Sequence, residues 1–221
     1  MSLLTNLVAY YSLQGNSNDA TGNGHTGSDT AISYSTSYGK ISQGALLNGS
    51  SSVITIADNA ALQFGTGDFT ISMWVDFSSL PGAAGAFIFF SKASPLEIYA
   101  YNNGTNTIWS GGLPGDSTTA ISATTWYFVT LTRISSAVVL YVNANSIKTA
   151  TSSVSVSNSG TAISLGTRPS IDFFPGYIDE VGIWSRGLSS TEVTQLYNSG
   201  TGLAYSAFAP PASTGNFFAF F

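Results

Sequence analysis

The sequence predicts an all-β sandwich of antiparallel sheets with one short C-terminal helix, and three observations support this prediction. Short apolar segments recur along the chain, and each is bounded by glycine, serine, asparagine or proline. Residues 69–77 alternate between apolar and largely polar side chains, as in a strand with one buried face. Only residues 189–198 show helical periodicity. Many short strands with regular turn signals indicate a sandwich or a barrel.

The predicted strands follow one another with turns between them. A loop rich in turn residues, 14–27, follows the first strand, and Asn48-Gly49 forms a turn between the next two. In the last strand Asp179 and Glu180 interrupt an apolar run, so both carboxylates need partners, since burying one unpaired costs several kcal/mol. The predicted strands are residues 7–13, 44–47, 53–56, 69–77, 86–91, 97–101, 107–109, 126–133, 138–143, 163–165 and 176–184.

The helix after the last strand has a complete set of N-terminal signals. Ser189 is the predicted N-cap, Glu192 stands at the third position of a capping box, and Leu188 and Val193 form a hydrophobic staple. Gly200 supplies the stop signal. We therefore expect a two-turn helix that docks on the sandwich.

Composition limits the class of protein. The 221 residues (23.0 kDa) fit one domain, predicted as residues 1–205, followed by a Pro/Phe-rich tail, 206–221. Charged residues make up 8% of the chain, against about 25% in ordinary soluble domains. The net charge is −5 with six scattered basic residues, so a nucleic-acid partner is not expected. The absence of cysteine excludes disulfides and thiolate metal sites.

A low-charge, polar surface favours a protein that works outside the cell or on the surface of a particle, with a virion as one such particle. The N-terminal residues lack the charged and apolar regions of a signal peptide. No apolar run reaches the roughly 18 residues of a membrane span.

Five blocks of sequence resemble one family in its own order. They open with Leu-Val-Ala-Tyr-Tyr-Ser-Leu and end with Gly-Tyr-Ile-Asp-Glu-Val-Gly-Ile-Trp. The blocks are residues 7–23, 64–75, 125–130, 140–143 and 176–189. Together, over about residues 6–203, they resemble the laminin-G-like domains of the concanavalin A-like lectin/glucanase superfamily. The resemblance implies a jelly roll of two curved antiparallel sheets.

A candidate metal site joins the first loop to the last strand. Asp19, Asn23 and the backbone at Gly24 offer the hard oxygen ligands that calcium takes, and Asp179 is the strand carboxylate. In the alternative interpretation, Asp19 and Asn23 only form Asx turns and Asp179 accepts hydrogen bonds from nearby backbone amides. The resemblance implies a structural calcium ion at Asp179 and the Asp19–Gly24 loop.

The acidic residues do not predict catalysis. Glycoside cleavage needs two carboxylates that face each other across the sugar. The glutamates Glu97, Glu180 and Glu192 are far apart in sequence, and adjacent Asp179 and Glu180 are expected on opposite faces of a strand. We therefore expect a chain that is not an enzyme.

Two groups of residues are candidates for ligand binding. Tyr99, Tyr101 and Trp109 form a predicted aromatic platform for a sugar, with two asparagines between them. Arg168, Phe173 and Phe174 form a second cluster.

The tail carries four phenylalanines, Phe217, Phe218, Phe220 and Phe221. Burying each is worth roughly 1.5–3 kcal/mol, so something is expected to cover them. They dock either on their own sandwich or on a neighbouring subunit.

These observations favour a non-catalytic structural or surface subunit of an extracellular or virion assembly, joined through its tail to itself or to neighbouring subunits. The first alternative is a calcium-dependent, carbohydrate-binding, lectin-like adhesion module. The least favoured alternative is a glycoside hydrolase or lyase.

Overall fold

The structure is a computed structural model that describes residues 2–156, 160–168 and 171–208. Within these residues the chain forms fifteen strands, one α-helix and three short 3-10 turns, Ala60–Leu62, Asn198–Gly200 and Tyr205–Ala207. The strands are β1 Leu7–Tyr11, β2 Gly27–Thr30, β3 Ser33–Ser35, β4 Gly44–Asn48, β5 Val53–Ile56, β6 Phe69–Phe77, β7 Ala86–Ser91, β8 Glu97–Asn102, β9 Thr107–Gly111, β10 Gly115–Ala120, β11 Trp126–Ile134, β12 Ala137–Val142, β13 Asn145–Thr151, β14 Ile163–Leu165 and β15 Pro175–Trp184, and the helix is α1 Ser190–Tyr197.

The strands form two antiparallel sheets. Sheet A has the order β13-β12-β11-β6-β15-β4-β3, with β1 also paired to β15. Sheet B has the order β10-β9-β8-β7-β14-β5-β2. The prediction of a two-sheet jelly-roll sandwich with one short helix is therefore confirmed.

The main core lies between the two sheets. On β6 the alternate residues Phe69, Ile71, Met73, Val75 and Phe77 all belong to it and are fully buried, which confirms the predicted alternation. Residues of sheet B fill the other side of the same core, so each sheet has an inner face towards the core and an outer face away from it.

A second hydrophobic cluster, here called the outer cluster, covers the outer face of sheet A. It brings the helix against residues that alternate with the inner ones, such as Trp74 on β6 and Trp184 on β15. The N-terminal segment joins it because Trp184 Nε1 donates a hydrogen bond of 2.7 Å to the Leu3 carbonyl. The outer cluster consists of Leu3, Leu7, Tyr10, Trp74, Phe128, Trp184, Leu188, Val193, Leu196 and Phe208.

The predicted helix start is confirmed. The Ser189 Oγ accepts a hydrogen bond from the Glu192 amide, and Glu192 Oε2 accepts one from the Ser189 amide at 2.9 Å, which completes the capping box. Burial alone would raise the pKa of Glu192, but hydrogen bonds from Arg186 and Ser189 outweigh it and lower that pKa to about 2. The helix ends before Gly200, because Asn198 adopts the left-handed conformation at the C-cap.

The tail phenylalanines Phe217, Phe218, Phe220 and Phe221 lie outside the described residues. In the described ranges, no helix is both long enough and apolar enough to cross a membrane.

Candidate functional site

Strand β15 changes its pairing partner at Asp179 and Glu180. One edge of β15 pairs with β6, whereas the other pairs with β4 before this point and with β1 after it. The register against β6 shifts between Asp179 and Gly182, and Glu180 has a φ of +50°. One extra residue is thus accommodated in a β-bulge, a feature that re-aims side chains.

The bulge places both carboxylates on the outer face of sheet A. Ile178 and Val181, which flank the pair, both belong to the main core, so Asp179 and Glu180 both lie on the other side. The prediction that these two side chains point to opposite faces is therefore wrong. Simple alternation cannot anticipate a bulge, because the inserted residue breaks the period of two.

Each of these buried carboxylates has protein hydrogen-bond donors. Asp179 Oδ2 accepts from the Lys40 and Ile41 amides at 2.9 and 2.8 Å, and Oδ1 accepts from the Glu180 amide at 2.9 Å. Glu180 Oε2 accepts a short hydrogen bond from the Tyr10 hydroxyl. Glu180 also lines a cavity of about 310 Å³ that is bounded by Ile41 and Tyr205.

Burial dominates the electrostatics of the pair. It raises the pKa of Asp179 to about 8, and the neighbouring Glu180 charge adds to this rise while the three amide donors oppose it. Burial likewise raises the pKa of Glu180 to about 7, against the hydrogen bond from Tyr10. No cation pairs with either carboxylate among the described residues, so the site favours the protonated forms.

The Asp19 carboxylate organises the first loop. Its Oδ1 accepts from the Tyr10 and Thr21 amides at 3.2 and 3.0 Å, and its Oδ2 accepts from the His25 amide at 3.1 Å. Asn23 donates from Nδ2 to the Val8 carbonyl at 2.8 Å. Gly24 has a φ of +87°, which suits the tight turn there.

The Asp19 and Asp179 carboxylates thus accept hydrogen bonds from backbone N–H groups, whereas Asn23 donates to the Val8 carbonyl. No hydrogen bond joins the Asp19 loop to Asp179, and the described ranges hold no group of three or more His, Cys, Asp or Glu residues suited to a metal. Calcium takes oxygen ligands only, so an ion here would share the carboxylate oxygens of Asp19 and Asp179 with the amide donors that already contact them. Calcium stays a prediction.

The predicted aromatic platform divides between the two faces of sheet B. Trp109 is fully buried in the main core, edge-to-face with Phe77 and Phe89. It has no accessible surface for a ligand, so it cannot form part of the predicted platform. Tyr99 and Tyr101 alternate with core residues on β8 and lie half-buried on the outer face. Of the second predicted cluster, Phe174 is likewise a core residue.

A groove of about 380 Å³ lies on the outer face of sheet B, and we call it the hydroxyl groove. Thr55 and Ser164 form its floor, because they face each other on the adjacent strands β5 and β14, between inward-pointing isoleucine and leucine side chains. Phe173 provides an aromatic wall. Its lining is uncharged and consists of Ser50, Ser51, Val53, Thr55, Ser164, Thr167 and Phe173.

A charged cluster adjoins the hydroxyl groove. Arg168 Nε lies 3.4 Å from Glu97 Oε1 and 3.8 Å from Asp172 Oδ2. Glu97 is 5% exposed and also accepts a hydrogen bond from Ser91 Oγ at 3.0 Å. Ser91 pairs with Ser164 of the groove floor, so the cluster continues that row of side chains across the sheet.

The sequence predicted Arg168 and Phe173 as parts of one cluster, but it did not predict Glu97 and Asp172 as the acidic partners of Arg168. The alternation along β8 offered a signal, because it places Glu97 on the same face as Tyr99 and Tyr101. Asp172 has a φ of +56° in an irregular segment, where no periodic pattern assigns a face.

Two facing antiparallel sheets and a bent closing strand define the class of protein, a jelly-roll sandwich. The laminin-G family model described as the concanavalin A-like lectin/glucanase superfamily matches residues 48–194. The chain belongs to this superfamily. No curated protein sequence matches the chain significantly.

Experimentally determined structures share the fold. Domain 4 of AbnA, a GH43 extracellular arabinanase from Geobacillus stearothermophilus, was determined in complex with arabinotriose. It is 26% identical to this chain with a TM-score of 0.68, over 86% of this chain and 97% of that domain.

Two toxin binding domains show the same fold at lower identity. For the binding domain of Paraclostridial Mosquitocidal Protein 1 the identity is 20% and the TM-score 0.69, over 89% of this chain and 52% of that one. For the binding domain of Botulinum Neurotoxin DC in complex with SialylT they are 15% and 0.61, over 87% and 51%. The chain therefore spans about half the length of these toxin domains.

Proposed function

We propose that this chain is a non-catalytic glycan-binding module that works outside the cell and binds a neutral oligosaccharide in the hydroxyl groove. One observation carries the proposal. A groove with an aromatic wall and a floor of hydroxyl groups lies on the outer face of sheet B, in a chain similar to nearly the whole of a domain determined with arabinotriose.

The chemistry of the groove suits a sugar. The ring of Phe173 offers an apolar face to sugar C–H groups, and the serine and threonine hydroxyls of the lining both donate and accept hydrogen bonds. A volume of about 380 Å³ lies within the range of small-ligand sites. Tyr99 and Tyr101 extend the same outer face.

The carboxylates near the groove support a binding role. Glycoside cleavage needs two carboxyl groups that flank the scissile bond. Glu97 and Asp172 instead contact the same Nε of Arg168, and the lining of the groove is uncharged. Asp179 and Glu180 lie on the outer face of the other sheet.

We expect Phe173→Ala to weaken binding of arabinotriose about tenfold, because the aromatic wall is lost. Isothermal titration calorimetry measures the effect. Tyr38→Ala is the matched control, since it removes a ring that stacks on Tyr177 away from the groove. Equal affinities of wild type and Phe173→Ala would place the sugar elsewhere, and absence of binding to arabinotriose and to a broad glycan array would overturn the proposal.

A structural subunit of an extracellular or virion assembly is the second candidate. The scarcity of charge, 8% of residues, favours it because few like charges oppose association. Within the described residues both sheets also end in edge strands without a second partner strand, β13 and β3 in sheet A and β10 and β2 in sheet B. Light scattering tests this candidate. The full chain should form an oligomer, and removal of residues 210–221 should reduce the number of subunits in that oligomer. A monomer in both cases contradicts tail-mediated assembly.

Calcium binding at Asp19, Asn23, Gly24 and Asp179 is a separate proposal, and it is tested by thermal unfolding. A calcium-dependent rise in Tm that a chelator reverses and Asp19→Asn abolishes supports it. An unchanged Tm contradicts it and leaves the hydrogen bonds of Asp19 to hold the first loop.

A further inference from the structure

We propose that the cluster of Glu97, Arg168 and Asp172 makes the hydroxyl groove select uncharged glycans over carboxylate-bearing ones. Arg168 is the specificity-determining residue, because it keeps hydrogen-bond donors while its two acidic neighbours outweigh its positive charge. The inference rests on the proposed glycan binding and adds the chemical class of the ligand.

The position of the cluster supports a role at the groove. Thr167 and Phe173, which line the groove, are chain neighbours of Arg168 and Asp172. From the other side, the groove residue Ser164 pairs with Ser91, which donates a hydrogen bond to Glu97. A glycan in the groove would therefore end against this cluster.

The Arg168 guanidinium is poised to donate. Its side chain is 38% exposed, and Nε is buried without a hydrogen bond in the part of the chain that the structure describes. Its contacts with Glu97 and Asp172, at 3.4 and 3.8 Å, are ion pairs without hydrogen-bond geometry. Because Nε is not accessible to a ligand, the donors that would reach sugar hydroxyl groups are the two terminal nitrogens of the planar guanidinium.

The charge balance sets the selectivity. An isolated arginine binds a carboxylate in a bidentate fashion, but one guanidinium and two carboxylates leave a surplus of one negative charge here. A ligand carboxylate about 8 Å from this surplus is disfavoured by roughly twofold to thirtyfold, depending on the local dielectric. The remaining groove offers no positive charge to offset this.

The test uses arabinotriose with its reducing end either reduced to the neutral alditol or oxidised to the carboxylate, since these two ligands differ in charge at one end. Calorimetry at low ionic strength limits screening. Wild type should bind the neutral form roughly twofold to thirtyfold more tightly than the carboxylate form. Asp172→Asn should reduce the ratio of the two affinities at least threefold. Asparagine is chosen because it tolerates the positive φ of this position.

Two further variants complete the experiment. Glu97→Gln should narrow the difference in the same way if Asp172→Asn does not fold. Asp116→Asn removes an equal charge from exposed β10 and should leave the difference unchanged. Equal affinity of wild type for both forms, or an unchanged ratio in Asp172→Asn and Glu97→Gln, overturns the inference while glycan binding stands. Absence of binding to arabinotriose and to a broad glycan array overturns the proposed function instead.

Discussion

Raising the pH from 4 to 9 lowers the free energy of unfolding, and Glu180→Gln removes part of that loss. Burial raises the pKa of Asp179 to about 8 and that of Glu180 to about 7 in the folded chain. Below about pH 4 these groups are protonated in both states, so their contribution to stability is fully present. As the pH rises towards 8, the unfolded chain releases these protons more readily, and stability falls.

At about 1.4 kcal/mol per pKa unit, the two raised pKa values correspond to at most about 9 kcal/mol. We expect a total loss of about 3–6 kcal/mol across this window, because relaxation and water penetration lower the cost of a buried charge. Glutamine at position 180 keeps an acceptor for the Tyr10 hydroxyl and cannot ionise beside Asp179. The Lys40 ammonium group does not form an ion pair with either carboxylate, because it lies over the Trp74 ring, 4.6 Å from its centroid.

Urea unfolding at pH 4.5, 6, 8 and 9 measures this effect. Glu180→Gln should match wild type at pH 4.5 and exceed its stability at pH 8. The half-buried carboxylate of Asp68, just before the start of β6, accepts a hydrogen bond from the Ser135 amide and provides the control variant Asp68→Asn. If wild type and Glu180→Gln show the same slope against pH, the pair is not protonated in the folded chain.

Arg133→Met should cost about 3–5 kcal/mol of stability. Arg133 is fully buried on β11 and donates to the carbonyls of Gly65, Gly67 and Val154 at 2.6–2.9 Å. Its guanidinium also lies 4.9 Å from the centre of the Phe69 ring. Methionine fills similar space but leaves three carbonyl groups without their donor, and each such loss costs about 1–3 kcal/mol before relaxation.

The comparison with Arg133→Lys identifies the cause. Lysine keeps the charge but lacks the planar fork that reaches several carbonyls at once, so an intermediate loss is expected. Chemical unfolding with a fixed m-value measures both variants. A loss below about 1 kcal/mol for Arg133→Met would show that these loops are held by other contacts.

The sequence predicted the interior strands because burial imposes a period on them. All strands with an apolar inner face were predicted to within a few residues, and β5, β6, β7 and β14 have matching bounds. The four missed strands, β2, β3, β10 and β13, all lie at sheet edges. Their residues are mostly polar and exposed, so backbone pairing defines them and periodicity does not.

The site was harder to predict than the fold, for two physical reasons. Trp109 and Tyr99 look alike as aromatic residues near turns, and only the register of β8 against β9 sends one inwards and the other outwards. The pair of Asp179 and Glu180 shares one face only because β15 bulges where it exchanges β4 for β1. Neither register nor partner exchange is written in a local pattern.

The outer cluster makes the two sides of the sandwich different. Arg186 donates to the Ser2 carbonyl at 3.2 Å, and Phe208 packs on Trp184, so both ends of the described chain are anchored behind sheet A. The hydroxyl groove opens on the opposite side, beyond sheet B. A group held next to residue 2 or residue 208 would therefore lie on the side of the domain away from the groove.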